Sequence, residues 1–295
     1  MTPDAAGRAV RDALAAVGED EPEALVAPAR QLLADPWWVA PLLAPWIAAL
    51  ADDPFAEPPL RAARDPLRTS AVLAQGAHAI LVASVISAAV LRARPPATTL
   101  AVSGRVSVTR YHRAGAATLL AWGAGDAGDA GEAGADFAAA DAPPAVALAP
   151  RPLFDGAIVT LDGRRRAYLI EGAERDVVTL TVAPRAGRAG LTREYDRATG
   201  ALRRVASNDE AGSRARMLLT LLRLSGRIDA APCFEVATHH AAFHLRWAAM
   251  REWLALDAAA AAPRLRTMAA TDTNAEVRAA AAATLPMVEA RLCRA

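Results

Sequence analysis

Lysine is missing altogether: each of the 33 basic residues in this 295-residue chain is Arg. That removes Schiff-base and P-loop chemistry, both of which need an ε-amine. Cysteine is scarce, with only Cys233 and Cys293. No disulfide framework is therefore expected, which suits a reducing, cytoplasmic compartment. Aromatic residues make up only 5%, so the six Trp and five Phe are expected to anchor the cores. An excess of charge is lacking too. The 33 basic and 32 acidic residues leave a net charge of +1, and no global field draws in nucleic acid or anionic lipid. The N-terminal MTPDAAGRAVRD has no apolar h-region, so no signal peptide is expected. G-x-S-x-G and H-E-x-x-H motifs do not occur, and Cys233 has no local catalytic signature.

One stretch, Ala71–Leu91, has no Asp, Glu or Arg over about the length of a membrane span. Gln75, Gly76, His78, Ser84 and Ser87 interrupt it, and polar groups are costly at mid-bilayer. A buried β-hairpin is the better account, and no membrane partner is expected.

What is present sorts into three segments, an α+β multidomain arrangement. Residues 1–64 read as a helical N-terminal region, with Ala9, Val10, Ala13, Leu14 and Val17 at helical spacing. Its run WWVAPLLAPWIAAL, broken by Pro41 and Pro45, reads as an apolar plug for a neighbouring layer. Residues 65–211 carry short Val-, Ile- and Thr-rich runs between turn signals, the pattern of an all-β sandwich. Inside it, 123–144 is acidic and rich in Gly and Ala, as expected of a flexible loop. The formal G-x-G-x-x-G at Gly123, Gly125 and Gly128 is no dinucleotide site, because Asp126 and Asp129 would repel a pyrophosphate. Asp126, Asp129 and Glu132 lack a recognised calcium-ligand spacing. Residues 212–295 read as a helical layer: Arg216–Ser225, one helix over Pro232–Asp257, then Pro263–Ala270 and Ala275–Leu292, the last capped at Thr273–Asn274.

Two resemblances follow. PRLRTMAATDTNAEVRAAAAATLPMV resembles a HEAT-type repeat. Leu265 and Met268 lie on a first helix, a D-x-N turn follows, then Val277, Arg278 and an alanine run to Leu285; Pro286 departs from the pattern. The resemblance implies a protein-binding helical layer. In the β region, Gly104, Arg110, His112, Ala116 and Gly123 fall in the register of the first cupin motif. Leu161, Gly163, Arg166 and Ile170 occupy four positions of the second. This resembles a degenerate cupin domain, and implies a cupin-like sandwich that keeps one metal ligand, His112. Arg110, His112 and Arg166 would then line an anion-binding cavity, since guanidinium suits carboxylate or phosphate. Against that stands an ordinary role as solvated strand residues.

The Pro232–Asp257 segment holds three of the five histidines. On a continuous helix His240, His244, Trp247 and Arg251 share one stripe, and His239 points elsewhere. The stripe is expected to face the β region, with His240, His244 and Arg251 as ligand-binding candidates. No metal cofactor is expected; the alternative is a divalent metal on His112, His240 and His244. The preferred function is a non-catalytic binding or scaffolding protein with a protein partner. The alternative is a small-molecule enzyme or ligand sensor, possibly metal-dependent, with a small anionic ligand in a cupin-like pocket.

Overall fold

The computed structural model describes residues 2–18, 22–57, 60–125, 139, 142–185 and 191–294. Helix α1 (Pro3–Ala15) starts where Thr2 accepts a side-chain hydrogen bond from the Ala5 N–H and Pro3 stands in the first turn. Both features suit a helix start, where backbone donors lack partners. Ala6, Val10 and Leu14, four apart, form its buried face. Helix α2 (Val26–Ala34) buries Ala29, Leu32 and Leu33, and α3 (Val39–Asp52) continues past Pro45. These residues share one core with Trp38 and with Leu81, Val108, Leu180 and Val182 of the sheet described next. The N-terminal helices therefore cover a sheet face instead of forming a body of their own.

The sheet is antiparallel and six-stranded. It contains β1 (Arg61–Arg64), β2 (Arg68–Gln75), β3 (Ala79–Ile86), β5 (Val106–Arg113), β9 (Ile158–Asp162) and β11 (Val177–Pro184), in the order β1-β2-β3-β11-β5-β9. Strand β1 belongs to the stretch expected to be helical, and it pairs with β2 instead. Ala71–Leu91 is the β2–β3 hairpin leading into α4 (Ala88–Ala93). Among the described residues no single helix is long and apolar enough to cross a membrane. Among the described residues, Glu23–Ala34 and Val39–Asp52 together have that length and apolarity, as a pair bent by 69°.

A second antiparallel sheet contains β6 (Thr118–Gly123), β7 (Val146–Ala147), β8 (Arg151–Pro152) and β10 (Arg166–Glu171). β4 (Thr99–Val102) lies beside β10. Side-chain alternation sorts the first sheet's two faces. On β5, Val108 points to the helices, while Tyr111 joins Val159, Val177, Leu119, Leu153 and Tyr168 between the sheets. Polar groups on that inner face pair with one another, as burial requires. Thr109 and Thr181 hydroxyls lie 2.9 Å apart, and Ser84 joins Arg68 and Ser70 at 2.8 and 3.1 Å. Burial pushes the Tyr111 phenol up to about 12.

The β5–β6 turn depends on one glycine. Gly115 has φ +61°, and a Cβ there would sit 2.0 Å from the Arg175 carbonyl oxygen. Gly115→Ala is expected to cost about 1–3 kcal/mol through that forced backbone shift, read as a lowered thermal midpoint.

The remaining elements are β12 (Leu191–Asp196), β13 (Leu202–Ser207), α5 (Glu210–Leu224), α6 (Ala231–Ala237), α7 (Phe243–Leu256), α8 (Ala258–Thr271) and α9 (Ala275–Leu292). Strands β12 and β13 form a hairpin. The chain divides into two compact units. One holds α1–α4 and β1–β11; the other holds β12 up to Tyr195, β13 and α5–α9. These limits differ from the three sequence segments, since the β12–β13 hairpin goes with the helices.

The expected single helix over Pro232–Asp257 is two helices. After α6 the Thr238 hydroxyl donates back to the Glu235 carbonyl at 2.6 Å, and His240 Nδ1 accepts from the Ala242 N–H at 3.0 Å. Arg246 donates to the His240 and Ala241 carbonyls, and Arg264 to Thr238. Side chains thus satisfy the groups that helical bonds would otherwise take. The helices enclose a core of Phe234, Met250, Trp253, Leu265, Met268 and neighbours.

Candidate functional site

The structure does not gather the residues expected to form a cupin-like pocket. Arg110 sits on β5 with its Nη1 donating to the Leu33 and Ala34 carbonyls at 3.0 and 3.1 Å. Cations are favoured there, because the C-terminal carbonyls of α2 lack helical partners. His112, two residues on, is exposed. Arg166 is exposed on β10, two residues before Tyr168, which belongs to the core between the sheets. Arg110 and Arg166 therefore lie on different sheets, Arg110 on the helix-covered side of the first and Arg166 on the second. Of the first-motif positions Arg110, His112 and Ala116, only His112 carries a metal-donor atom, so these residues do not fit a divalent metal, which needs three or four ligands.

The histidine segment is also rearranged. His239 and His240 lie in the turn between α6 and α7, both exposed, and Arg251 is exposed on α7. Only His244 is half-buried. Helical i, i+4 spacing does not hold between His240 and His244, because the helix begins at Phe243. Among the described residues no three His, Cys, Asp or Glu side chains are placed to hold a metal ion. Both cysteines are free and exposed. Asp126, Asp129, Glu132 and Gly128 lie outside the described residues.

What His244 does line is a cleft of about 680 Å³ within the C-terminal unit. Three helices present their first turns to it: α5 through Gly212 and Ser213, α7 through Phe243–Leu245, and α9 through Glu276. Helix starts carry partial positive charge and unsatisfied N–H groups. Two of the three are capped from within the chain. Asp209 accepts from the Gly212 N–H at 2.9 Å, and Asn274 accepts from Glu276 and Val277. Helix α7 begins after Ala242, which has no capping side chain.

Arg203, Arg204 and Arg216 line the same cleft against one carboxylate, Glu276, which accepts from the Ala139 N–H. Arg204 is paired with Glu194 at 2.8 Å. Leu191, Leu202, Phe243 and Ala248 supply apolar wall. The His244 ring meets Phe243 edge to face at 5.6 Å, and its buried Nδ1 has no hydrogen-bond partner. Burial holds the His244 pKa below its ordinary value, and the nearby positive Arg216 and Arg246 act in the same direction against Asp209. The ring is therefore neutral at pH 7, with one nitrogen available to a bound group.

Sequence reasoning singled out His244 but not its companions. Asp209 and Asn274 are recognisable as helix starts in the sequence. Nothing local shows that the helices they begin point into one space.

No family model and no curated protein matches the sequence. Among solved structures, the chain is similar to a sugar phosphate isomerase from a cupin superfamily of Silicibacter pomeroyi DSS-3. The TM-score is 0.25 at 10% identity, covering 50% of this chain and 87% of that one. It is also similar to ectoine synthase from P. lautus, with a TM-score of 0.20 and 11% identity over 42% and 67% of the two chains. Similarity at this level establishes neither a shared fold nor an activity.

Proposed function

We propose that this is a binding protein whose C-terminal cleft holds a small anion with an apolar body, such as a carboxylate or a phosphate monoester. The observation that carries this reading is that the uncapped first turn of α7, the unpartnered Nδ1 of His244 and the Arg216 side chain meet on one cleft. Helix N–H groups and guanidinium forks are the groups that recognise such anions. The apolar wall suits the remainder of the ligand, and the volume suits a small molecule. His244 would donate from its unpartnered Nδ1, fixing orientation. The protein would act by binding, as a sensor or scaffold. The first unit is read as cupin-like, supported by its two facing antiparallel sheets. The α8–α9 pair is read as HEAT-like, supported by its turn at Asp272–Asn274.

The test uses phenyl phosphate and benzoate as probes, with the His244 ring followed by NMR. At least one probe is expected to saturate and to raise the His244 pKa, because a neighbouring anion favours imidazolium. Arg216→Ala is expected to weaken that probe about tenfold, the loss of one charge-assisted contact. No response of the His244 ring to either probe at millimolar concentration overturns the reading.

A further inference from the structure

Strand β13 ends its sheet: the order is β13-β12-β4, and among the described residues its only strand partner is β12. Side chains alternate between the two faces of a strand, so a cleft over one face would meet every second residue. All five of Leu202–Ala206 line the C-terminal cleft, and none of them is buried. Arg204, Val205 and Ala206 are still successive beyond the irregularity opposite Glu194 and Tyr195. The cleft therefore runs along the backbone edge of β13, and a strand edge is a template for pairing with another chain. The first turn of α7 lines the same cleft. There the Leu245 and Arg246 N–H groups donate to the Ala242 carbonyl, and among the described residues those of Phe243 and His244 have no acceptor. Two adjacent N–H groups at an uncapped helix start fit a carboxylate. Arg216 and the unpartnered His244 Nδ1 line the cleft with them.

We infer that the cleft takes the C-terminal end of an extended peptide, which adds to β13 as a strand and sets its terminal carboxylate on the start of α7. This deepens the anion-binding reading and rests on it. A bare anion would use the α7 start and leave the β13 edge unfilled, whereas a peptide end uses both. Strand addition supplies main-chain hydrogen bonds, and capture of the carboxylate fixes the peptide's end and register. Five strand residues span about 17 Å, enough for about five residues of an added strand. Leu191, Leu202, Phe243 and Ala248 supply apolar wall for the last side chain.

The test uses the full chain and an acetylated pentapeptide, Thr-Val-Thr-Val-Leu, with a free C-terminal carboxylate. It is expected to bind at least about tenfold more tightly than benzoate or phenyl phosphate, a gain of one or two contacts. It is also expected to shift the His244 ring in NMR spectra and to slow amide exchange along Arg204–Ala206. The small probes are expected to leave that exchange unchanged. Two control peptides are expected to lose the gain. One is the C-terminal amide, which lacks the charge. The other is Thr-Pro-Pro-Val-Leu, whose adjacent prolines remove a donor on each side of the strand. A small probe that moves His244 while the pentapeptide binds no tighter, or binds without protecting β13, overturns the inference and leaves the anion-binding reading standing. A control peptide that binds as tightly as the parent also overturns it. Silence of His244 toward every one of these ligands removes both.

Discussion

Replacing Arg246 with Met is expected to destabilise the C-terminal unit by about 3–5 kcal/mol, because it strips the partner from a buried carboxylate. Arg246 and Asp272 are both almost fully buried. The guanidinium meets the carboxylate through two hydrogen bonds, Nε to Oδ2 at 2.9 Å and Nη2 to Oδ1 at 2.6 Å. It also donates to the His240 and Ala241 carbonyls and to the Thr273 hydroxyl. One side chain therefore ties the α6–α7 turn to the α8–α9 turn. Lysine cannot substitute, since an ammonium lacks the planar fork that serves all these acceptors. Arg246→Lys is expected to recover only part of the loss in urea denaturation followed by circular dichroism.

The same pair sets a pH dependence. Burial alone would raise the Asp272 pKa, but the Arg246 hydrogen bonds and the Asn274 N–H outweigh it and hold the pKa below its ordinary value. A carboxylate whose folded pKa is depressed adds stability above its unfolded pKa, about 3.9 for Asp. That stability is lost as pH falls further, through the folded pKa. In Arg246→Met the sign reverses. The carboxylate is buried without its cation, its pKa rises, and protonation relieves it. The gap between wild type and variant is therefore expected to narrow toward pH 3. A gap that stays constant from pH 7 to pH 3 would show that the ion pair does not account for the loss.

Trp38→Ala is expected to cost a further class of stability, about 3–5 kcal/mol, through the cavity left by a buried indole. Trp38 is 1% exposed, at the centre of the core shared by the N-terminal helices and the first sheet. Its Nε1–H donates to the Leu32 carbonyl at 3.0 Å. Trp38→Phe should fall between the two, since it retains most of the apolar volume but leaves that carbonyl short of a donor. Equal unfolding midpoints for Trp38→Ala and wild type would remove Trp38 from the core. The effect should appear in the unit that contains α1–α4 and β1–β11.

The Trp38 site was legible in the sequence, whereas the Arg246 network was not. The run of Trp, Leu and Ile reads as an apolar plug, and Trp38 lies in the core beside it, but the expected breaks at Pro41 and Pro45 do not occur, since α3 runs from Val39 to Asp52. Likewise Gln75–Gly76 between two β-branched runs specifies a hairpin, and Asn274 before an alanine run specifies a helix start. The helix over Pro232–Asp257 failed because apolar periodicity runs on unbroken through Thr238–Ala242. What breaks it there is a pair of side chains, Arg246 reaching back from α7 and Arg264 from α8, that take the turn's carbonyls. The partners of Arg110 were hidden for a related reason. Period two assigns it a face of β5, but not the helix end that covers that face.

Sequence alone determined the local elements of this protein, because capping, turn formation and apolar periodicity act within a few residues. It determined that strands dominate the middle and helices the end, and that no lysine chemistry is at hand. Only the tertiary structure decided which faces are covered. It placed the N-terminal helices on the first sheet and the β12–β13 hairpin with the C-terminal helices. It also turned three helix starts, at Glu210, Phe243 and Ala275, toward one cleft, and left the leucines of α5 outward. Those outcomes depend on packing between segments distant in sequence, where the free energy of burial is shared among many contacts and no single stretch carries the signal.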